Sequence, residues 1–285
     1  MKRTYNIKGE ARKQLKLAPG YILLILWLIF TVVMIGWIFL ASLSTTKEIF
    51  NNEILHSGFH FENYTNVLSK HKMSVYFLNS IIYSISGCVG IVLIAAPAAY
   101  VLARVAFKGK SMVNNIFVIS MSIPSVMLIL PLFKMATSMG LIGSRWTLII
   151  LYICINVPFG VFFLIGFFTS LPKALEEAAE IDGCTPDQAF WKIMFPLAQP
   201  GIVTLTIFNF ITIWNEYFMA LIFANKTELR TVSTGLQAIV QSMKYSGDWA
   251  GLFAGVIIVF LPTFFLYIFL SKKIIAGVTG GAVKG

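Results

Sequence analysis

The sequence predicts an all-α polytopic membrane protein with six transmembrane helices. Of its 285 residues, 58% are hydrophobic and only 12% are charged, and the mean hydropathy is +0.81. Soluble domains carry about 25% charged residues, so this chain lacks the polar surface that a water-soluble enzyme or a disordered chain needs. The apolar residues lie in runs of about 20, which is the length that a helix needs to cross the hydrocarbon of a bilayer.

The apolar runs divide the chain into its predicted parts. The expected spans cover residues 21–43, 76–103, 113–137, 146–170, 197–223 and 251–270. They leave a basic N-terminal arm at 1–20, an outer loop at 44–75, a five-helix core at 76–270 and a glycine-rich tail at 271–285. A basic leader before an apolar run also suits a signal peptide, but a signal core has only about 7–15 residues, so we expect an uncleaved first helix. Prolines predict bends within the spans at Pro97, Pro124, Pro131, Pro158 and Pro262.

Lysine and arginine are divided unequally between the two sides of these spans. Fourteen lie in the arm, the second-to-third gap, the fourth-to-fifth gap and the tail, whereas eight lie elsewhere. Positive residues concentrate on the cytoplasmic side of membrane proteins, so both termini are predicted to be cytoplasmic. The net charge of +10 does not indicate nucleic-acid binding, because no basic face is interleaved with stacking aromatic residues.

The segment between the fourth and fifth spans, residues 171–196, is predicted to form a helix, a tight turn and a second helix. Gly183 suits the left-handed residue that ends a helix. Thr185, Pro186 and Gln188 have the spacing of a capping box that begins the next one. The first helix carries three glutamates and small alanines, which suit a protein groove better than an anionic membrane surface. An amphipathic connector lying on lipid is the alternative.

Three short motifs resemble those of a known family. Residues 177–183 (EAAEIDG) with 193–196 (IMFP) resemble the EAA loop of ATP-binding-cassette importer permeases. Residues 214–217 (WNEY) resemble the family's WNE segment, and the tail at 277–285 is similar to that of MalG-like carbohydrate-uptake permeases. The resemblance extends over nearly the whole chain and implies the type I importer permease fold.

The resemblance implies a permease subunit of an ATP-driven, binding-protein-dependent importer of sugars or oligosaccharides in the bacterial plasma membrane. The implied partners are a second, MalF-like permease, two cytoplasmic ATPase subunits, an extracytoplasmic solute-binding protein, the sugar and membrane lipid. The chain has no P-loop sequence and no catalytic arrangement of its own, so it is not expected to be an enzyme. ATP and Mg²⁺ are expected on the partner ATPase subunits, and no cofactor is expected in this chain.

The same resemblance assigns residues to coupling. In the family, the first helix of the EAA loop is seated in a cleft of the ATPase subunit. The matching positions here are Glu177, Ala178, Ala179, Asp182 and Gly183. The tail of relatives reaches between the ATPase subunits, which implies contacts by Gly281 and Lys284. Glycine is costly in a helix, so we expect no stable helix over residues 277–285. Residues 224–250 are expected to face the solute-binding protein.

Polar side chains inside the apolar runs are candidates for a translocation path, because polar groups in hydrocarbon usually face a cavity. The candidates are Asn209, Thr212, Glu216 and Tyr217 in the fifth span, Asn79 and Tyr83 in the second, and Asn156 in the fourth. The alternative for each is a hydrogen-bond network that only holds helices together. For Glu216, the one acid deep in a predicted span, the structural role is favoured.

The sequence supports other functions less well than sugar import. An ion-coupled secondary transporter acting alone needs a compact intramembrane ion site and an inverted repeat, and the sequence indicates neither. An importer of glycerol phosphate shares much of the motif pattern, but a phosphate ester calls for a basic lining, and no arginine lies inside a predicted span. His56, His60 and His71 in the outer loop lack cysteines or suitably arranged carboxylates, so no metal site is expected.

Overall fold

The structure is a computed structural model that describes residues 7–282, with side chains described at 17–273. Its elements are helices joined by short loops. In chain order the helices are α1 (Ile7–Ser42), α2 (Thr46–Asn51), α3 (Glu62–Ser69), α4 (Met73–Arg104), α5 (Lys110–Met121), α6 (Ser125–Ser138), α7 (Arg145–Ser170), α8 (Ala174–Ile181), α9 (Pro186–Leu197), α10 (Gln199–Asn215), α11 (Phe218–Phe223), α12 (Val232–Ser246) and α13 (Trp249–Ala282). A single 3₁₀ turn, Thr227–Leu229, lies between α11 and α12.

The central helices α4 and α7 run in the same direction. Arg104 at the end of α4 donates a hydrogen bond to the carbonyl of Leu171, which follows α7. At the opposite ends, Arg145 of α7 donates to Asn79 Oδ1 of α4 over 2.8 Å. The α5–α6 segment between them must therefore cross the bilayer in the return direction. This connectivity supports the predicted six crossings.

The predicted third span, residues 113–137, is not one helix. It consists of α5 and α6, which meet at an angle of 100°. Pro124 explains the break, because its ring disfavours helical geometry at Ile123 and it has no N–H to donate. Four helices are long and apolar enough to cross a membrane alone, and two bent pairs bring the number to as many as six in the described part of the chain.

The predicted fifth span, residues 197–223, is also interrupted. Helix α10 ends at Asn215, and α11 begins only at Phe218. Glu216 therefore lies at a break between two helices, which corrects the expectation of an acid inside a continuous span. At the cytoplasmic end α9 meets α10 at 72°, and Pro196 and Pro200 lie on either side of this bend.

Glycines allow the core helices to approach closely. A Cβ added to Gly160 of α7 would lie 2.9 Å from the Ala95 Cβ of α4. A Cβ added to Gly87 of α4 would lie 2.6 Å from Ile213 Cδ1 of α10. These contacts pack α4, α7 and α10 around one buried apolar cluster. Helix α1 packs on α13, and ring contacts such as Trp37 with Phe253 at 5.3 Å hold its outer end.

The glycine-rich tail differs from expectation. Helix α13 continues through Ala282, so the tail is helical up to that residue. Each glycine costs about 1 kcal/mol in a helix, but extending a long existing helix needs no new nucleus. Gly281 lies in the last turn of α13, and Lys284 lies outside the described residues. At the other terminus α1 begins at Ile7, within the predicted arm.

Candidate functional site

The cytoplasmic segment has the predicted helix–turn–helix form. Helix α8 ends before Gly183, whose φ of +78° is the left-handed conformation that glycine tolerates best. The next helix begins with the predicted capping box. Gln188 N donates to Thr185 Oγ1 over 3.3 Å, and Thr185 N donates to Gln188 Oε1 over 3.2 Å. Both local predictions are confirmed.

The residues assigned to coupling divide between two faces of this segment. Glu177, Ala178, Asp182 and Gly183 are exposed, as a docking surface requires. Ala179 is buried at 2% exposure, so its methyl group packs inside the chain and does not face outward. The sequence interpretation missed Ile181, which is 86% exposed at the end of α8. An apolar side chain ending an otherwise acidic helix is the signal that could have drawn attention to it.

Two residues of α4 that the sequence interpretation missed hold this segment. The Tyr100 hydroxyl donates to Glu176 Oε1 over 2.8 Å. Arg104 donates from Nη2 to the carbonyl of Leu171, and its Nε lies 3.5 Å from Glu176 Oε2. That distance is within ion-pair range, although Nε forms no hydrogen bond within the described residues. Residues 171–196, called the coupling segment after the role that the family resemblance implies, are therefore fixed to the cytoplasmic end of α4.

A cavity of about 480 Å³ lies between α7 and α10. Its lining residues are Asn156, Phe159, Phe208, Asn209, Ile211 and Thr212. Three of the path candidates therefore come together there. Asn156 Nδ2 donates to the carbonyl of Tyr152 over 2.8 Å, whereas the buried Asn209 Nδ2 has no hydrogen-bond partner within the described residues. The lining holds amides, a hydroxyl and two phenyl rings, with no ionisable side chain.

A larger cavity of about 610 Å³ adjoins the first one at Phe159. It lies at the break between α5 and α6, and its lining includes Pro124 and Pro158 together with Cys154. Most of its lining is apolar, with serines at the ends of the two half-helices. The broken span and α7 therefore extend the open volume beside the polar cavity.

Glu216 and Tyr217 lie outside this polar cavity. Glu216 Oε1 accepts a hydrogen bond from Met219 N over 2.7 Å, and Oε2 accepts one from Ala220 N over 3.0 Å. Oε2 also accepts from the Tyr152 hydroxyl over 2.8 Å. The carboxylate thus caps the first turn of α11, which agrees with the structural role favoured for it. Tyr217 packs its ring near that of Phe218, with centroids 5.3 Å apart.

Asn79 and Tyr83 form hydrogen bonds at the outer side of the protein. Asn79 Nδ2 donates to the carbonyls of Glu228 and Arg230 over 2.7 and 3.0 Å. The Tyr83 hydroxyl donates to the carbonyl of Leu229 over 2.9 Å. Both side chains are almost fully buried, and their polar atoms hold the loop at residues 224–231. The structure does not bring them to the polar cavity.

The outer loop contains a carboxylate that is strongly hydrogen-bonded. Glu48 accepts from the Ser57 hydroxyl over 2.6 Å, from Ser57 N over 2.5 Å and from Thr45 N over 2.8 Å. These bonds, the Ser57 hydroxyl first, lower the pKa of Glu48 from 4.5 to about 2. In the same loop His60 bonds to Ser57 and Glu62. Among the described residues no cluster of three His, Cys, Asp or Glu side chains is arranged to hold a metal ion.

Several apolar crossings and a helix–turn–helix between two of them characterise a multi-pass membrane protein. The chain belongs to the family described as the binding-protein-dependent transport system inner membrane component, whose model matches residues 91–274. It is therefore an inner-membrane permease subunit of an ATP-binding-cassette transporter and not an enzyme. Membership also implies ATPase and solute-binding partners.

The chain is similar to sugar-uptake permeases of several bacteria and to a solved transporter. Diacetylchitobiose uptake system permease protein NgcG of Streptomyces coelicolor is 33% identical over 268 residues, covering 94% of this chain and 89% of that protein. Trehalose transport system permease protein SugB of Mycobacterium tuberculosis is 33% identical over 249 residues, covering 87% and 91%. A solved bacterial ABC transporter involved in the import of the acidic polysaccharide alginate shares the fold, with a TM-score of 0.76, 23% identity and coverage of 95% and 98%.

Proposed function

We propose that this chain is the permease subunit through which an uncharged sugar or short oligosaccharide enters the cell. The observation that carries the proposal is the cavity between α7 and α10, whose polar groups are amides and a hydroxyl. Sugar hydroxyls both donate and accept hydrogen bonds, as amides do, and the apolar face of a sugar ring packs on phenyl rings. The relatives named for diacetylchitobiose and trehalose uptake support the same substrate class.

A charged substrate fits this lining less well. A phosphate or carboxylate group entering a low-dielectric site needs a cation or several donors to offset its lost hydration. The residues around the 480 Å³ cavity include no lysine, arginine or histidine. Of the path candidates, Asn156, Asn209 and Thr212 are therefore the proposed contacts for the sugar, and Phe159 and Phe208 the proposed packing surface.

The transport cycle that we propose uses partners to supply energy and cargo. A second, MalF-like permease completes the path, a solute-binding protein delivers the sugar, and two ATPase subunits hold ATP and Mg²⁺. Glu177, Asp182 and Gly183 lie on the exposed face of the coupling segment, where an ATPase subunit would dock. Closure of the ATPase pair moves α8, and the paired permeases alternate between inward-facing and outward-facing arrangements.

Uptake by the complete transporter in proteoliposomes tests this function. We expect ATP-dependent uptake of radiolabelled trehalose, maltose or diacetylchitobiose, and none of glycerol 3-phosphate. Asn209→Leu removes the buried amide and should lower sugar uptake about tenfold, equivalent to about 1.4 kcal/mol. Asn215→Leu is the matched control, because Asn215 is exposed on the same helix and its Nδ2 bonds to the carbonyl of Ile211. Uptake of the phosphate ester without any neutral sugar would contradict the proposal.

A further inference from the structure

We propose that α4 is a positioning rod that transmits movement of the coupling helix α8 to the outer loop at residues 224–231. Tyr100 and Arg104 are its contacts at the cytoplasmic end, and Asn79 and Tyr83 are its contacts at the outer end. The inference rests on the proposed function, because the movement it carries is that of a permease driven by ATPase subunits. All four are positioning residues, since they act through other parts of the chain.

The cytoplasmic contact joins α4 to the start of the coupling segment, to α8 and to α9. The Tyr100 ring packs between Phe168 at the end of α7 and Phe190 of α9, with centroid distances of 5.6 and 5.0 Å. Its hydroxyl reaches Glu176 in the first turn of α8. Arg104 binds the carbonyl of Leu171, where the segment begins. A displacement of α8 therefore acts directly on the last turn of α4.

The ion pair between Arg104 and Glu176 at this end of α4 is longer than a hydrogen bond. Arg104 Nε is buried, forms no hydrogen bond to any described residue and lies 3.5 Å from Glu176 Oε2. A charge-assisted hydrogen bond between such groups is usually about 2.7–2.9 Å long, so a shift of less than about 1 Å would close the pair. A buried donor without a partner is unfavourable, so the closed arrangement satisfies a group that the open arrangement leaves unsatisfied. A small shift that shortens this distance would therefore be stabilised by the contact.

The outer contact is equally specific. Three successive residues of the 224–231 loop, Glu228 to Arg230, present their carbonyls to Asn79 and Tyr83. The Oδ1 atom of Asn79 accepts in turn from Arg145 of α7. Movement of the first turns of α4 must therefore move these peptide groups or break their hydrogen bonds.

The helix between the two contacts is continuous and tightly packed. It has 32 residues, which corresponds to a length of about 48 Å. Pro97 lies within it without ending it. A Cβ at Gly90 would lie 2.3 Å from Ile153 Cδ1, and the interface at Gly87 is similarly close, so α4 has little freedom to bend independently of α7 and α10.

Hydrogen–deuterium exchange on the complete transporter tests the rod. In the unaltered complex, a non-hydrolysable ATP analogue should change the exchange rate of residues 224–231 several-fold. Arg104→Gln should abolish most of that change while the analogue still protects the ATPase subunits. Lys108→Gln is the matched control, because Lys108 is an exposed basic residue near the same end of α4. An unchanged loop response in Arg104→Gln, or no response in the unaltered complex, overturns the proposal.

Conservative substitutions distinguish a positioning role from an effect on folding. Tyr100→Phe removes only the hydroxyl and keeps the ring, so it should weaken the loop response without raising exchange of α4 and α7 in the nucleotide-free state. Tyr83→Phe removes one of the three hydrogen bonds of the outer contact, the one to the carbonyl of Leu229. It should lower the ratio of stimulated to basal ATP hydrolysis when loaded solute-binding protein is added. An undiminished ratio counts against the rod. If the complex shows no uptake of neutral sugar but the loop still responds to the nucleotide, the proposed substrate is rejected. The role proposed for α4 is then unaffected.

Discussion

The hydroxyl of Tyr152 and the carboxylate of Glu216 are joined by a 2.8 Å hydrogen bond that connects α7 to the break in the fifth span. The same carboxylate accepts from the amides of Met219 and Ala220, so it bonds to three donors at once. An acid at the first turn of a helix is stabilised by the exposed N–H groups there. Glu216 of the WNEY motif thus has a structural explanation that does not involve the substrate.

Glu216→Ala should destabilise the protein. The substitution leaves the amides of α11 and the Tyr152 hydroxyl without their acceptor, which typically costs about 1–2 kcal/mol. Thermal unfolding of the purified transporter measures the loss. Glu216→Gln retains one acceptor oxygen. Its stability should therefore lie between that of the unaltered protein and that of Glu216→Ala. Normal stability combined with lost uptake would instead indicate a role in the translocation path.

Gly183→Leu should leave the protein in the membrane but abolish sugar-stimulated ATP hydrolysis. The φ of +78° costs an ordinary L-residue about 1–2 kcal/mol, so the turn after α8 is expected to shift. A Cβ at this position meets no atom within 4 Å, so the effect comes from the backbone and not from crowding within this chain.

Gly183→Asn is the control for that prediction, because asparagine tolerates the left-handed conformation better than leucine does. It should retain a substantial part of the stimulated hydrolysis in reconstituted complexes. Normal hydrolysis by the leucine variant would remove the coupling role of this turn.

Gly160→Ala should destabilise the packing of α7 on α4 by about 1–3 kcal/mol. The new methyl carbon would lie 2.9 Å from the Ala95 Cβ, which cannot rotate away. Gly166→Ala on the same helix meets no atom within 4 Å and should be neutral or stabilising, because alanine favours helices. Thermal unfolding of the two variants, measured side by side, checks the difference, and equal stabilities would contradict the close approach.

The outer loop should loosen in acid. Because the pKa of Glu48 is about 2 in the folded chain and 4.5 ordinarily, its ionised form stabilises the loop fully above pH 4.5. That contribution is lost as the pH falls towards 2. Hydrogen exchange of Ser57, corrected for its intrinsic pH dependence, should accelerate below about pH 4.5. Glu48→Gln should remove this pH dependence, whereas Glu53→Gln, which alters an exposed carboxylate of the same loop, should not.

Local signals in the sequence predict local structure well. Gly183 and the Thr185 capping box were identified because a left-handed glycine and a reciprocal cap depend on residues within four positions of each other. Prolines predict the position of helix breaks less reliably. Pro97 and Pro158 lie inside continuous helices, whereas Pro124 marks a 100° break. The difference depends on how neighbouring helices satisfy the freed backbone groups, which periodicity does not reveal.

The functional roles of polar residues are harder to predict. Asn79 appears in the sequence as a polar group within an apolar run, but its partners lie about 150 positions away in the 224–231 loop. Asn209 has the same sequence character, yet its Nδ2 lies beside a cavity and has no hydrogen-bond partner in the described part of the chain. Only the tertiary arrangement distinguishes a side chain that anchors a loop from one that lines a cavity.

The break at Pro124 has a consequence for the lifetime of the protein before assembly. Helix α6 begins there without a side-chain cap, and Ser122 to Ser125 are exposed on this chain. Bare peptide groups are tolerated at bilayer depth only against protein or water. A chain without its partner subunits would leave this helix start uncovered. We therefore expect cells to degrade unassembled chains and to need synthesis matched to that of the partner subunits.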